Sequence, residues 1–106
     1  VAAGDAAGLK LVRSVFMKGL AGLVFESLDA AEKIGATAEV RAQLAAELGP
    51  NGDALVQRLL DGTVQHAARR EHEMLDARAF LESLGTPPRM TDGTIAWLHA
   101  LASAGS

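Results

Sequence analysis

The sequence predicts an all-α fold, a helical bundle built round one long, buried N-terminal helix. Three observations lead there. Alanine and leucine dominate a chain of 106 residues that is 49% apolar, a composition leaning to helix. Apolar residues recur at helical spacing and nowhere alternate with the period of two that marks a strand. Glycine and proline fall at Gly35, Gly49-Pro50 and Gly85-Thr86-Pro87-Pro88, cutting the chain into helix-length pieces.

The first element is expected from about Asp5 to Ile34, closed by Gly35 in a left-handed C-cap. Thirty residues at about 1.5 Å each make a rod on the order of 45 Å, long enough to cross a small domain. From Ala6 to Phe25 it is apolar on almost every side, the pattern of a buried helix. Farther on, Glu26, Asp29, Glu32 and Lys33 face water while Leu23, Val24, Leu28 and Ile34 face inward. Gly19 and Gly22 cost this helix about 1 kcal/mol each relative to alanine, and are read as places where another backbone packs close. Thr37 suits the N-cap of a short helix over 38–48. Asn51-Gly52-Asp53 reads as a turn, with Asn51 or Asp53 capping the next helix. That helix carries Leu55, Val56, Leu59, Leu60 and Val64, then Ala67, Ala68, Leu75, Phe80, Leu81 and Leu84. Asp61-Gly62 is where it kinks or splits. Thr91 or Asp92 caps a last helix through Ile95, Trp97, Leu98 and Leu101, fraying into Ser103-Ala104-Gly105-Ser106.

The length bounds the chain to one domain, residues 1–106, with room for a core. A formal charge of −3 argues against a broadly basic nucleic-acid surface. No cysteine means no disulfide framework and no thiol chemistry, which fits a cytoplasmic setting. Lys10, Arg13, Lys18 and Glu26 interrupt the longest apolar run, so a membrane span is not expected. Val1 opens without a basic n-region, so no signal peptide is expected, and the absent initiator Met points to a piece of a longer protein.

Lys10 stands where a lysine has little ordinary reason to be. At helical spacing it heads a stripe of Ser14, Met17, Ala21, Phe25 and Leu28. An amine there either snorkels out at the helix end or is desolvated, with a lowered pKa suited to proton transfer. Ser14, one turn on, lies on the same face and can touch the same small ligand. A second group, His66, Arg69, Arg70 and Glu73, occupies i, i+3, i+4 and i+7 of one helical face. Two guanidiniums there suit an anion, and a solvated, salt-bridged surface is the plainer alternative. His66 and His72 are six apart, off the spacing that puts two imidazoles on one face, and no metal site is expected. Arg89, Trp97 and His99 read as the polar side and core anchor of the last helix.

The run Gly4-Asp5-Ala6-Ala7-Gly8-Leu9-Lys10-Leu11-Val12-Arg13-Ser14 resembles the start of the helical C-terminal domain of the β-hydroxyacid dehydrogenases, a family that includes 3-hydroxyisobutyrate and phosphogluconate dehydrogenases. Their signature has small residues and glycine, the catalytic lysine, then an asparagine four residues on. Lys10 falls on the lysine and Ser14 on the asparagine. His72-Glu73-Met74 with Gly85 is similar in spacing to the family's Lys-Asp-Leu element and the glycine that ends its helix, with His72 in place of lysine. Arg69-Arg70 with Glu73-Met74 resembles a less characterised, phosphogluconate-dehydrogenase-like branch.

The resemblance implies a C-terminal domain that packs on an upstream Rossmann domain, contributes to a homodimer and closes the active-site cleft. Lys10 would be the acid/base on the hydroxyl of a small anionic or polar substrate, with NAD or NADP bound mainly by the other domain. Arg13, Ser14, Arg69 and Arg70 would contact substrate, and His72 and Glu73 the cofactor. Serine cannot offer both an amide donor and a carbonyl acceptor, and His72 removes a fixed positive charge at neutral pH. A reading from a different class stays open: a non-catalytic helical interaction or dimerisation domain, with Gly19 and Gly22 admitting a partner helix and Lys10 incidental. Either way, the first helix has more apolar faces than this bundle can cover, so burial against another domain or a second copy is expected.

Overall fold

Five helices make up the computed structural model, which describes residues 6–104: α1 (Ala6–Lys33), α2 (Thr37–Glu47), α3 (Gly52–Gln65), α4 (Ala67–Ser83) and α5 (Arg89–Ala104). Among the described residues there is no strand. Gly4 and Asp5 at the front of the first helix, and Gly105-Ser106 at the tail, lie outside them.

The glycine stops behave as their chemistry requires. At Gly35 (φ 73°) the chain turns left-handed; Gly35 N–H donates to the Glu32 carbonyl (3.1 Å) and Ala36 N–H to Ala31 (2.8 Å). Gly85 (φ 78°) repeats the motif, with Gly85 N–H on Glu82 (3.0 Å) and Thr86 N–H on Leu81 (2.9 Å). Both are Schellman closures, which satisfy carbonyls the helix leaves free.

Other boundaries differ from the sequence expectation. Thr37 is the first helical residue rather than the cap, and the preceding Ala36 carbonyl accepts the Val40 N–H (3.0 Å). α3 continues through Asp61-Gly62, and the expected split comes at His66, whose φ of −118° and ψ of 22° end α3 and start α4. The last helix starts two residues before Thr91, at Arg89, and the Pro88 carbonyl accepts the Asp92 N–H (2.9 Å). Proline favours that spot, since it needs no N–H partner in a first turn. Thr91 is therefore inside the helix, 1% exposed, with an unpartnered hydroxyl.

α1 is the central element, touching all four others. Ala21 and Val24 join Val56 and Leu59 of α3 in one core cluster; Met74 and Ala77 of α4 join Leu98 of α5 in another, against which Leu11 and Val15 of α1 pack. Met74, fully buried, was not among the apolar residues picked from the sequence, while Val64, Leu75 and Leu84 from that set are exposed. Leu23 on α1 and Ile34 just past its end are exposed rather than inward-facing.

Gly19 and Gly22 do lie under another helix, α5, through Thr94. They leave room, however. A methyl on Gly22 would stand 3.9 Å from Thr94 Oγ1 and 4.0 Å from Thr94 Cα, ordinary contact. Gly22→Ala is expected to stabilise the fold by about 1 kcal/mol through helix propensity, read as a higher urea midpoint.

The bundle leaves a groove of about 500 Å³ between α1 and α5, lined by Val12, Phe16, Leu23, Met90 and Trp97 among others. Phe16 and Met90 are each 67% exposed there. At its margin the Trp97 indole N–H donates to Glu26 Oε1 (3.1 Å), and Trp97 stacks on Phe25 at 6.4 Å. No helix among the described residues is long and apolar enough to cross a membrane.

Candidate functional site

α1 and α4 run antiparallel along one seam. Gly8 lies under the Phe80 ring, where a methyl would meet Cζ at 2.7 Å. One turn on, Leu11 and Val15 pack against the cluster of Met74 and Ala77. The next turn brings Lys18 into the field of Arg70 and Glu73. Charged residues therefore occupy the position where the apolar seam would otherwise continue.

Lys10, Ser14 and Lys18 step by four along α1, a spacing that winds slowly round the helix. The burial follows that winding: Lys10 is exposed, while Ser14 and Lys18 are half-buried. Lys10 is thus exposed near the start of α1 in this chain. Arg13, three residues beyond Lys10, is also exposed. The desolvated lysine of α1 is Lys18, which the sequence reading did not select. Its burial, then the nearby Arg70 guanidinium, hold its amine below the ordinary value, against a smaller opposing pull from Glu73.

Arg70 is half-buried and firmly placed. Its Nη1 donates to Thr63 Oγ1 (3.0 Å), one helix back, and its Nη2 lies 3.1 Å from where a Cβ on Gly62 would sit. Its Nε is buried without a partner. Burial, then Arg69, weakens its hold on its proton. Arg69 is exposed and pairs with Glu73 (Nε to Oε1, 3.6 Å). The structure therefore brings Lys18, Arg69, Arg70 and Glu73 together at the α1–α4 seam, with Lys10, Arg13 and Ser14 upstream on α1. His72 is not among them. It is exposed, and lies two positions before buried Met74, about 200° round the helix.

Two side-chain contacts tie the last helix to α4. His99 Nδ1 lies 3.0 Å from Glu71, tying α5 to α4. Arg78 does the same through Asp92 while also pairing with Glu82 along its own helix. Among the described residues no cluster of His, Cys, Asp or Glu could hold a metal ion.

The Lys18 environment has a pH consequence. Folding weakens proton binding at Lys18, so the unfolded chain carries more protons between the depressed value and the ordinary 10.5. Stability should rise with pH through that window; below it the folded state bears the full cost of the cation. Lys18→Met removes the cost. The variant is expected to be more stable than wild type at pH 7, with the advantage shrinking towards pH 10.5, in urea titrations at the two pH values.

Nothing among curated proteins matches the chain. One solved structure matches it closely, that of the conserved protein MTH1747, of unknown function and described as structurally similar to 3-hydroxyacid dehydrogenases. The TM-score is 0.86 at 30% identity, over 95% of this chain and 39% of that one. This chain therefore spans well under half of that relative. The model of a domain of unknown function, DUF1932, matches residues 31–101, from the end of α1 into α5 and beyond the Lys10–Lys18 segment. On that match and that fold, the chain belongs to the DUF1932 family, the helical C-terminal domain of 3-hydroxyacid dehydrogenase-like proteins.

Proposed function

We propose that this chain is the C-terminal domain of a cytoplasmic NAD(P)-dependent oxidoreductase acting on a hydroxy acid or related small polar substrate. The observation that carries this reading is the Lys10–Ser14 pair, one turn apart on α1 with Lys10 exposed, in a fold matched to a protein similar to 3-hydroxyacid dehydrogenases. The partner it needs is a Rossmann domain in the same polypeptide, and the 39% coverage of the relative supports one of substantial size.

In this reading the free side of α1 forms one wall of a cleft and the other domain forms the opposite wall. Bound nicotinamide supplies the hydride acceptor. Lys10 takes the proton of the substrate hydroxyl as the carbonyl forms, and returns it in the reverse direction. Ser14 orients the hydroxyl or the Lys10 amine, Arg13 and Arg69 draw in the anionic end, and His72 and Glu73 face the cofactor edge. The exposed Lys10 is thus a half-site that closes on assembly. Hydride transfer by the full-length polypeptide, measured over a panel of hydroxy acids with wild type and Lys10→Ala, tests the proposal. Undiminished turnover in the variant would remove Lys10 from the chemistry.

The groove on α1 and α5 favours a homodimer as the assembled form. Phe16, Leu23 and Met90 stand out round a floor that includes Gly19 and Gly93, and Glu26 and Arg89 give it one acid and one base. Knobs, holes and opposite charges on one surface suit a two-fold contact. A monomer by size-exclusion chromatography would count against it.

A further inference from the structure

We infer that Lys18 and Arg70 form a distal oxyanion site, which takes a phosphate or carboxylate group standing several bonds from the hydroxyl handled by Lys10. Its place in the substrate cleft rests on the function proposed above; the site itself does not.

Half-buried cations ordinarily have an acid against them, because desolvating a charge is costly without a partner. Here they do not. Among the described residues Lys18 has no hydrogen-bond or ion-pair partner. Arg70 bonds only a neutral hydroxyl, and its buried Nε has no acceptor. Glu73, the acid whose field reaches Lys18 and Arg70, pairs with the outer Arg69. Counting Arg13, four cations and one carboxylate share this corner of a chain whose overall charge is −3. The concentration of positive charge is therefore local. It gathers where an apolar pair would have continued the seam at no electrostatic cost.

The geometry suits a ligand. Thr63 and the bare Gly62 backbone hold the Arg70 guanidinium from behind, so it is preorganised before anything binds. A guanidinium and an ammonium at the same turn of the seam, each within the other's field, match a tetrahedral or planar oxyanion, one by a fork and the other as a point charge. Eight residues of helix separate Lys18 from Lys10, about 12 Å along the axis. Long side chains close part of that distance, so hydroxyl and anion sit at opposite ends of the ligand, not on neighbouring carbons.

The test is a phosphate titration of the protein at ionic strength held constant with sodium chloride, followed by nitrogen–proton NMR of the Lys18 and Arg70 side chains. Malonate is titrated in a parallel arm. Expected are saturable shifts at both side chains, weakened about ten-fold or more in Lys18→Met, as for loss of a charge-assisted contact. Glu73→Gln should shift affinity the other way, tightening phosphate several-fold, which a merely structural role would not do. A stronger response to phosphate than to malonate assigns a phosphorylated ligand; the reverse assigns a carboxylate. No saturable response in wild type, or an equal one in Lys18→Met, overturns the site. Lys10→Ala should bind phosphate like wild type. Loss of the anion site with Lys10-dependent turnover intact would sink this inference alone, and the converse would sink only the acid/base assignment.

Discussion

Gly52→Ala is expected to destabilise the fold by about 3 kcal/mol, the upper range for inserting a methyl into a packed contact. The first residue of α3 is buried against α2, and a Cβ there would fall inside the Ala45 carbonyl group, 2.9 Å from Ala45 Cα. The obstacle is backbone, so no rotamer change relieves it. The α2–α3 connection is short and already constrained: Gly49 is left-handed (φ 96°), and its carbonyl accepts the Gly52 N–H (2.9 Å). Pro50 has no N–H with which to complete a Schellman closure. Relief must come from α2 moving as a body. It buries no residue fully, but leaving strains the Arg41 bonds to Asp53 (3.1 Å) and Gln57 (2.8 Å) and uncovers Leu44 and Leu48. In thermal unfolding the midpoint should fall by more than about 10 °C for a domain of this size. A fall under about 2 °C would mean that the two helices are not in this contact.

That expectation reverses the weights the sequence invites. Gly19 and Gly22 interrupt a helix, where glycine is conspicuous, whereas Gly52 sits in an Asn-Gly-Asp stretch that already explains a glycine as a turn. Spacing along one chain reports helix ends well, which is why the stops at Gly35 and Gly85 were legible. It does not report which other backbone lies opposite. For the same reason Met74 was missed as a core residue. It sits between Glu73 and Leu75 in a polar run, and only the approach of α1 and α5 makes its position interior.

Lys18 shows the same limit within the candidate site. The resemblance at Gly4–Ser14 drew attention to Lys10, and a lysine eight residues later on the same helix looked like one more interruption of an apolar run. Two signals were available: its spacing of four from Ser14, and an Arg69-Arg70 pair of adjacent cations in the later helix. Joining them required knowing that α1 and α4 are antiparallel and in register at that turn, which follows from tertiary packing alone.

Lys10→Ala in the full-length polypeptide is expected to lower kcat by about 10²–10⁴-fold, the usual contribution of a positioned proton-transfer group. The loss should fall on kcat more than on KM, because proton transfer is made in the transition state and not on binding. A lysine that merely holds substrate would show the opposite split, with KM raised and kcat preserved. Lys10→Arg keeps the positive charge but cannot give up its proton, so it should bind substrate and still fail to turn over. Ser14→Asn supplies the amide donor and acceptor of the family signature. It should hold or raise turnover when Ser14 orients the reacting groups, and should leave the Lys10→Ala defect untouched. If Lys10→Arg were as active as wild type, the amine would be an electrostatic anchor, and the proton would have to travel through another group on the Rossmann side of the cleft.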